Sequence, residues 1–83
     1  MTDKIDINFN MFDENHYVVI VKKNNVNLFL DFGLCSFEEE MEHWDMPTKL
    51  VNYKGEEGFL FEKSINKDEV KDEIERFAKH NDI

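Results

Sequence analysis

The segment HYVVIV, residues 16–21, contains the longest apolar run of this 83-residue chain. Its residues are β-branched or aromatic and are apolar at both odd and even positions, a pattern typical of an interior strand that is covered on both faces. The run is much shorter than the roughly 18–20 apolar residues that cross a bilayer. We therefore expect a central β-strand here and no membrane-spanning segment.

Two alternating segments flank this central strand. Apolar and polar residues alternate over residues 5–11 and again over residues 26–32, as expected of strands with one polar face. Asn24 and Asn25 precede the second of these segments, and asparagine tolerates the positive φ angles of a tight hairpin turn. The sequence thus predicts three strands, with a tight hairpin joining the second and the third.

A short helix is predicted to follow. Gly33 is expected to end the third strand, and Ser36 with Glu39 matches a capping box at a helix start. Pro47 disfavours helical geometry at the residue before it, so the helix is expected to stop near Asp45. Its apolar stripe consists of Phe37, Met41 and Trp44.

The second half of the chain repeats the hairpin and helix arrangement. Residues 50–53 and 59–61 are strand-like and flank a loop with two glycines. Asn66 and Glu69 form a second capping box, and Ile65 is placed to pack on Val70. Further apolar residues share one face of that last helix: Ile74, Phe77 and Ala78.

These elements predict an α+β fold with the order βββαββα. Residues 1–83 are too few for two independent cores, so we expect a single small domain. It should contain an antiparallel β-sheet of about five strands with two helices packed on one face.

The chain is strongly acidic. Nineteen acidic against ten basic side chains give a net charge of −9, which repels nucleic-acid phosphates and anionic lipids and attracts basic proteins. Asp3 and Lys4 come before any apolar run, and the lone Cys35 permits no internal disulfide. We expect a cytoplasmic protein that binds neither nucleic acid nor a membrane directly.

More than half of the net charge lies in the first predicted helix, because residues 36–46 hold five acidic residues and no Lys or Arg. The acidic residues of the first turn complement the helix dipole, whereas Asp45 is unfavourable near the carboxyl end. Two readings remain open: an anionic face that docks in a basic groove, or only the solvated side of the domain. The candidate contact residues are Glu38, Glu39, Glu40, Glu42, Asp45 and Trp44.

Three aromatic residues stand apart from the simple strand and helix patterns. Trp44 is expected in the core, although an exposed Trp rimmed by carboxylates would be a hot spot of an interface. Phe12 and Phe29 lie on the polar side of their predicted strands. Either the second face of the sheet is covered, or it offers an apolar patch to a partner or to a second copy of the chain.

Sequence signals of catalysis and cofactor binding are missing. His16, His43 and His80 are dispersed, and the chain has no CxxC, HExxH, GxSxG or glycine-rich phosphate loop. Cys35 lies beside a predicted helix start, where a thiol can be reactive, but a small buried hydrophobe is the expected role. We therefore expect no enzymatic activity, no catalytic residues, no metal and no cofactor.

In size and charge the chain resembles the small antagonist proteins that phages and mobile elements direct against nucleic-acid enzymes, which include DNA mimics and anti-CRISPR proteins. The resemblance is one of composition and carries no specific residues. It favours a non-enzymatic inhibitor or regulator that occludes a basic site on a partner, such as a nucleic-acid-handling enzyme. The alternatives are an immunity or antitoxin protein that neutralises a basic toxin, and a homodimeric accessory domain with no inhibitory role.

Overall fold

A computed structural model describes residues 5–83; Asp3 and Lys4 lie outside the described residues. Within these residues the fold is α+β, with a five-stranded antiparallel sheet and three helices. The elements, in chain order, are β1 (Asp6–Met11), β2 (His16–Lys23), β3 (Val26–Asn27), α1 (Phe29–Leu34), α2 (Phe37–His43), β4 (Lys49–Tyr53), β5 (Glu56–Glu62) and α3 (Lys67–His80).

The sheet has the strand order β1-β2-β5-β4, with the short β3 also paired to β2. All pairs are antiparallel, and β2 is central, as its sequence predicts. Asn24 and Asn25 both have positive φ, of 54° and 65°, so the tight turn between β2 and β3 is confirmed. The second hairpin is tighter than expected, because only Lys54 and Gly55 separate β4 from β5.

All three helices pack on one face of the sheet. Tyr17, Val19 and Val21 of β2 point to that face and form one core cluster with Phe59 and Phe61 of β5. The helices complete the cluster with Phe32, Phe37, Met41, Val70, Ile74, Phe77 and Ala78. Burial of this apolar surface fixes the helices on the sheet.

No helix of residues 5–83 covers the second face of the sheet, yet Val18 and Ile20 are buried on it. Gly58 lies beside them on β5, and a Cβ atom there would come within 2.7 Å of Val18 Cγ2. Phe12 and Tyr53 come from opposite ends of the sheet and meet with their ring centroids 6.4 Å apart. Phe12 thus serves partly to cover this face, while remaining 38% exposed.

The predicted third strand over residues 26–32 is wrong beyond its first two residues, and Gly33 does not end a strand. Residues 29–34 form α1 instead, which places Phe29 on a helix and gives the fold three helices rather than two. Asn27 explains the change: its Oδ1 accepts from the N–H of Phe29 at 3.0 Å, and its Nδ2 donates to the carbonyl of Glu57 at 2.9 Å. One side chain thus bonds both to the first residue of α1 and to β5.

The last helix begins where the sequence predicts, with Asn66 as its N-cap, but of the predicted capping box only the bonds to the Asn66 side chain are found. Asn66 Oδ1 accepts hydrogen bonds from the backbone N–H groups of Asp68 and Glu69, at 2.8 and 3.2 Å. Ile65 is half-buried against the core cluster, which also contains Val70. No helix within residues 5–83 is long and apolar enough to span a membrane.

Candidate partner-binding surface

The acidic helix α2 starts differently from the prediction. Ser36 lies in the left-handed region with φ of 62°, and its side chain makes no capping hydrogen bond. Ser36 is the residue that turns the chain out of α1, since its N–H bonds to the carbonyl of Gly33 at 3.2 Å. The predicted capping box with Glu39 is therefore wrong, and only the Ser36 carbonyl accepts from the N–H groups of Glu39 and Glu40.

Two fully buried side chains hold α2 against the sheet and against α3. Phe37 packs edge-on against Phe59 and Phe77, with ring centroids 4.8 and 5.1 Å apart, and Met41 lies one turn further on. Because these residues point inward, the remaining positions of the short helix are exposed, except the half-buried Glu40. The acidic surface is thus presented by a helix whose position is set by aromatic packing.

Asp45 lies just beyond the end of α2 and has a backbone role that the sequence did not suggest. Its φ is 59°, and its N–H bonds to the carbonyl of Glu42 at 3.1 Å, while the N–H of Met46 bonds to the carbonyl of Met41 at 2.8 Å. This pair of bonds is a Schellman motif, accompanied by the usual apolar contact because Met41 and Met46 are both buried. Asp45 is exposed, so its carboxylate remains available to a partner.

Trp44 is 48% exposed, so the expectation that it belongs to the core is wrong. The helix ends at His43, and Trp44 no longer continues the apolar stripe of Phe37 and Met41. Its indole Nε1 donates to Glu40 Oε2 at 2.7 Å, and its ring packs edge-on against that of His43 at 5.4 Å. The ring is therefore held in a defined orientation at the surface.

The five candidate carboxylates surround α2 rather than forming one flat face. Glu38 and Glu42 share one flank at i, i+4 spacing, Glu39 lies on the outer side, and Glu40 lies on the flank of Trp44. All are exposed except the half-buried Glu40. Among the described residues, none of the five is within ion-pair distance of a Lys, Arg or His; the ion pairs there join Asp13 to His16, Lys22 to Glu56 and Glu73 to Arg76.

A cleft separates this surface from α3. A hollow of about 440 Å³ is lined by Cys35, Ser36, Glu39, Glu40, His43 and Trp44. An adjoining cavity of about 270 Å³ shares Cys35 and Glu40 and reaches Arg76 and His80 of α3. The cleft therefore joins an indole ring and two carboxylates at its outer side, which is chemistry suited to a cationic side chain.

Cys35 lines both hollows and is half-buried. It packs partly against the core cluster and lies between the carboxyl end of α1 and the start of α2. It is therefore less buried than the sequence predicts. Within residues 5–83, no three His, Cys, Asp or Glu side chains are grouped so that they could hold a metal ion.

An apolar pair next to this surface was not recognised in the sequence. Leu30 and Leu34 of α1 are 63% and 83% exposed. They lie at i, i+4 spacing, so they share one face of a helix. A helix prediction for residues 29–34 would have identified this pair. The strand prediction instead put Leu30 on the same face as Leu28 and Phe32, which are both buried.

Comparisons of the chain with models of protein families, with curated proteins and with solved structures find no match.

Proposed function

We propose that this protein is a non-enzymatic inhibitor or regulator that acts in the cytoplasm by covering a basic, nucleic-acid-binding site on a partner protein. The observation that carries the proposal is the exposed Trp44, which is oriented by Glu40 and shares a hollow with Glu39, on a helix whose carboxylates form no ion pair with a described basic side chain. In this respect the protein would act as DNA mimics and anti-CRISPR proteins do.

The contact would combine long-range and short-range terms. The net charge of −9 steers the protein towards a basic groove and raises the association rate, an effect that weakens with salt. At contact, a guanidinium group of the partner can stack on the Trp44 ring and bond to Glu39 or Glu40, which line the same hollow. Half-exposed aromatic residues of this kind are frequent hot spots.

The test begins with affinity capture from lysate of the source organism at low and high salt, using three baits in parallel. The first is the wild type, and the second carries Glu38→Lys and Glu42→Lys on α2. The third is a matched control with Glu69→Lys and Asp72→Lys on the exposed side of α3. A protein retained by the wild type and the control, lost at high salt and lost with the α2 variant, is the expected partner.

The purified partner then decides the mechanism. We expect this protein and the nucleic acid of the partner to exclude each other, and Trp44→Ala to weaken the complex by about 30-fold or more, as for a hot-spot residue. Equal capture by the α2 variant, or a complex that still binds nucleic acid normally, would contradict the proposal. Capture of a basic toxin in place of a nucleic-acid enzyme would identify an immunity or antitoxin protein instead.

A further inference from the structure

β1 is an edge strand with an open side. Within residues 5–83, its only strand partner is β2, which lies on one side of it. An edge strand exposes unpaired N–H and C=O groups that can pair with another chain. What this edge can bind depends on which of its residues direct their backbone groups outward.

The hydrogen bonds next to the sheet identify those residues. The N–H of Phe12 bonds to the carbonyl of His16 at 3.1 Å, so the even residues of β1 direct their backbone groups towards β2. The carbonyl of Val21 accepts from Leu28 on the other side of β2, in agreement with this alternation. The outward N–H and C=O groups of β1 therefore belong to Ile7, Phe9 and Met11.

The two edges of the sheet differ in how they are protected. Beside β4 the chain has Pro47, Lys49 and Lys54, which are residue types that discourage strand addition. β1 contains no Pro, no Lys and one charged residue, Asp6. Its Met11 is 78% exposed on the face that carries the helices. The β1 edge is thus open in backbone, apolar on one face and nearly neutral in a strongly acidic protein.

We propose that β1 pairs antiparallel with β1 of a second copy of this chain, around a two-fold axis at Phe9. The outward groups of Phe9 then bond to those of Phe9 in the second copy, and Ile7 pairs with Met11 of that copy on both sides of the axis. These side chains all lie on the helix face, where Ile7 and Phe9 already contact the core. The two cores become continuous across the interface.

The charges permit this register. On the opposite face Asn8 meets Asn10 of the second copy, and Asp6 meets Phe12, so no like charges lie directly opposite each other. The two Asp6 carboxylates are separated by roughly 20 Å along the ribbon, beyond the Debye length of about 8 Å at physiological salt. The net charge of each copy still opposes association. Dimerisation should therefore strengthen with salt, the reverse of binding to a basic partner.

The mass of the protein in solution tests this proposal. Sedimentation equilibrium over a concentration series at low and high salt should give a dimer whose dissociation constant falls as salt rises. Met11→Lys should weaken the dimer by roughly tenfold or more, because it buries an unpaired charge beside Ile7. Leu34→Lys makes the same change at an equally exposed leucine of α1 and should leave the dimer intact.

Hydrogen exchange gives a readout specific to the register. Protection of the Ile7, Phe9 and Met11 amides should increase with protein concentration, whereas the Asn8 and Asn10 amides, which face β2, should be protected at every concentration. A monomeric mass up to millimolar concentration would overturn the proposal. A dimer lost with Leu34→Lys and kept with Met11→Lys would overturn it too.

Discussion

Replacing Asp45 by glycine should stabilise the protein, although it removes a candidate contact residue. Asp45 occupies the left-handed region with φ of 59°, which costs most residues with a Cβ atom about 1–2 kcal/mol, Asp and Asn at the lower end, and costs glycine nothing. The carboxylate also lies at the negative end of α2, which costs about 0.3–1 kcal/mol. Glycine loses about 0.4–1 kcal/mol through greater freedom of the unfolded chain. The net gain is about 1 kcal/mol.

The assay is thermal unfolding followed by circular dichroism, with denaturant unfolding as a second measure. A gain of about 1 kcal/mol raises the Tm of a domain of this size by roughly 4–8 °C. Asp45→Asn removes the charge and keeps a side chain that tolerates positive φ, so it should recover only the electrostatic part of the gain.

Asp82 supplies a matched control at the end of α3. Its φ is 55°, and the bonds from Asp82 N–H to the Lys79 carbonyl and from Ile83 N–H to the Ala78 carbonyl repeat the motif at Asp45. Asp82→Gly should therefore stabilise to a similar extent, but it should not affect binding of a basic partner, whereas Asp45→Gly should weaken it. Unchanged or lower Tm values for both glycine variants would refute the backbone argument.

Two further predictions concern the sheet. Gly58→Ala should lower the free energy of unfolding by about 1–3 kcal/mol, because the new Cβ would lie 2.7 Å from Val18 Cγ2 and 3.0 Å from the carbonyl oxygen of Val19. Denaturant unfolding measures this change in stability. An unchanged stability would contradict the close approach. Burial raises the pKa of Tyr17 to about 12, whereas a tyrosine of the unfolded chain ionises near pH 10. The free energy of unfolding therefore falls as the pH rises from about 10 to 12. At pH 8, Tyr17→Phe should be less stable than the wild type, because it lacks the hydrogen bond to the Ile65 carbonyl. Between pH 8 and pH 11, however, the variant should lose less stability than the wild type. Equal losses over this pH range would contradict the reasoning.

The strand and helix patterns that were strongest in the sequence are those that the structure confirms. The apolar segment of residues 16–21 lies in the central strand β2, and Asn66 caps α3 with two hydrogen bonds. Both signals can be recognised in a short window of sequence: one is a run of residues that are apolar at every position, and the other is a side chain that bonds to the next turn.

The segment after β3 shows why an alternating pattern can mislead. Leu28 and Phe32 fit a strand by their even spacing, but they also fit one face of a helix at i, i+4, and both are buried. The choice between the two is made by Asn27, whose amide bonds at once to Phe29 and to Glu57, a residue that is distant in sequence. Such a tertiary contact overrides local propensity and has no signal in a short window of sequence.

The candidate surface was predicted in composition and not in detail. The acidic residues of α2 are exposed as expected, because Phe37 and Met41 define the buried side of the helix. Trp44 was misplaced because its i, i+7 spacing from Phe37 holds only while the helix continues, and the motif at Asp45 ends it one residue earlier. The hydrogen bond from Trp44 to Glu40 joins two residues at i, i+4 spacing.

The strand order also has a consequence for how the chain folds. The central pair joins β2 to β5, whose partners, such as His16 and Glu62, are roughly 40 residues or more apart along the chain. Non-local pairing of this kind slows folding, since a long loop must close before the contacts form. During synthesis, most of one edge of β2 and the face of β2 around Tyr17 therefore remain exposed until β5 and α3 have been made. A fragment that ends after α2 would expose that edge to other chains and should aggregate.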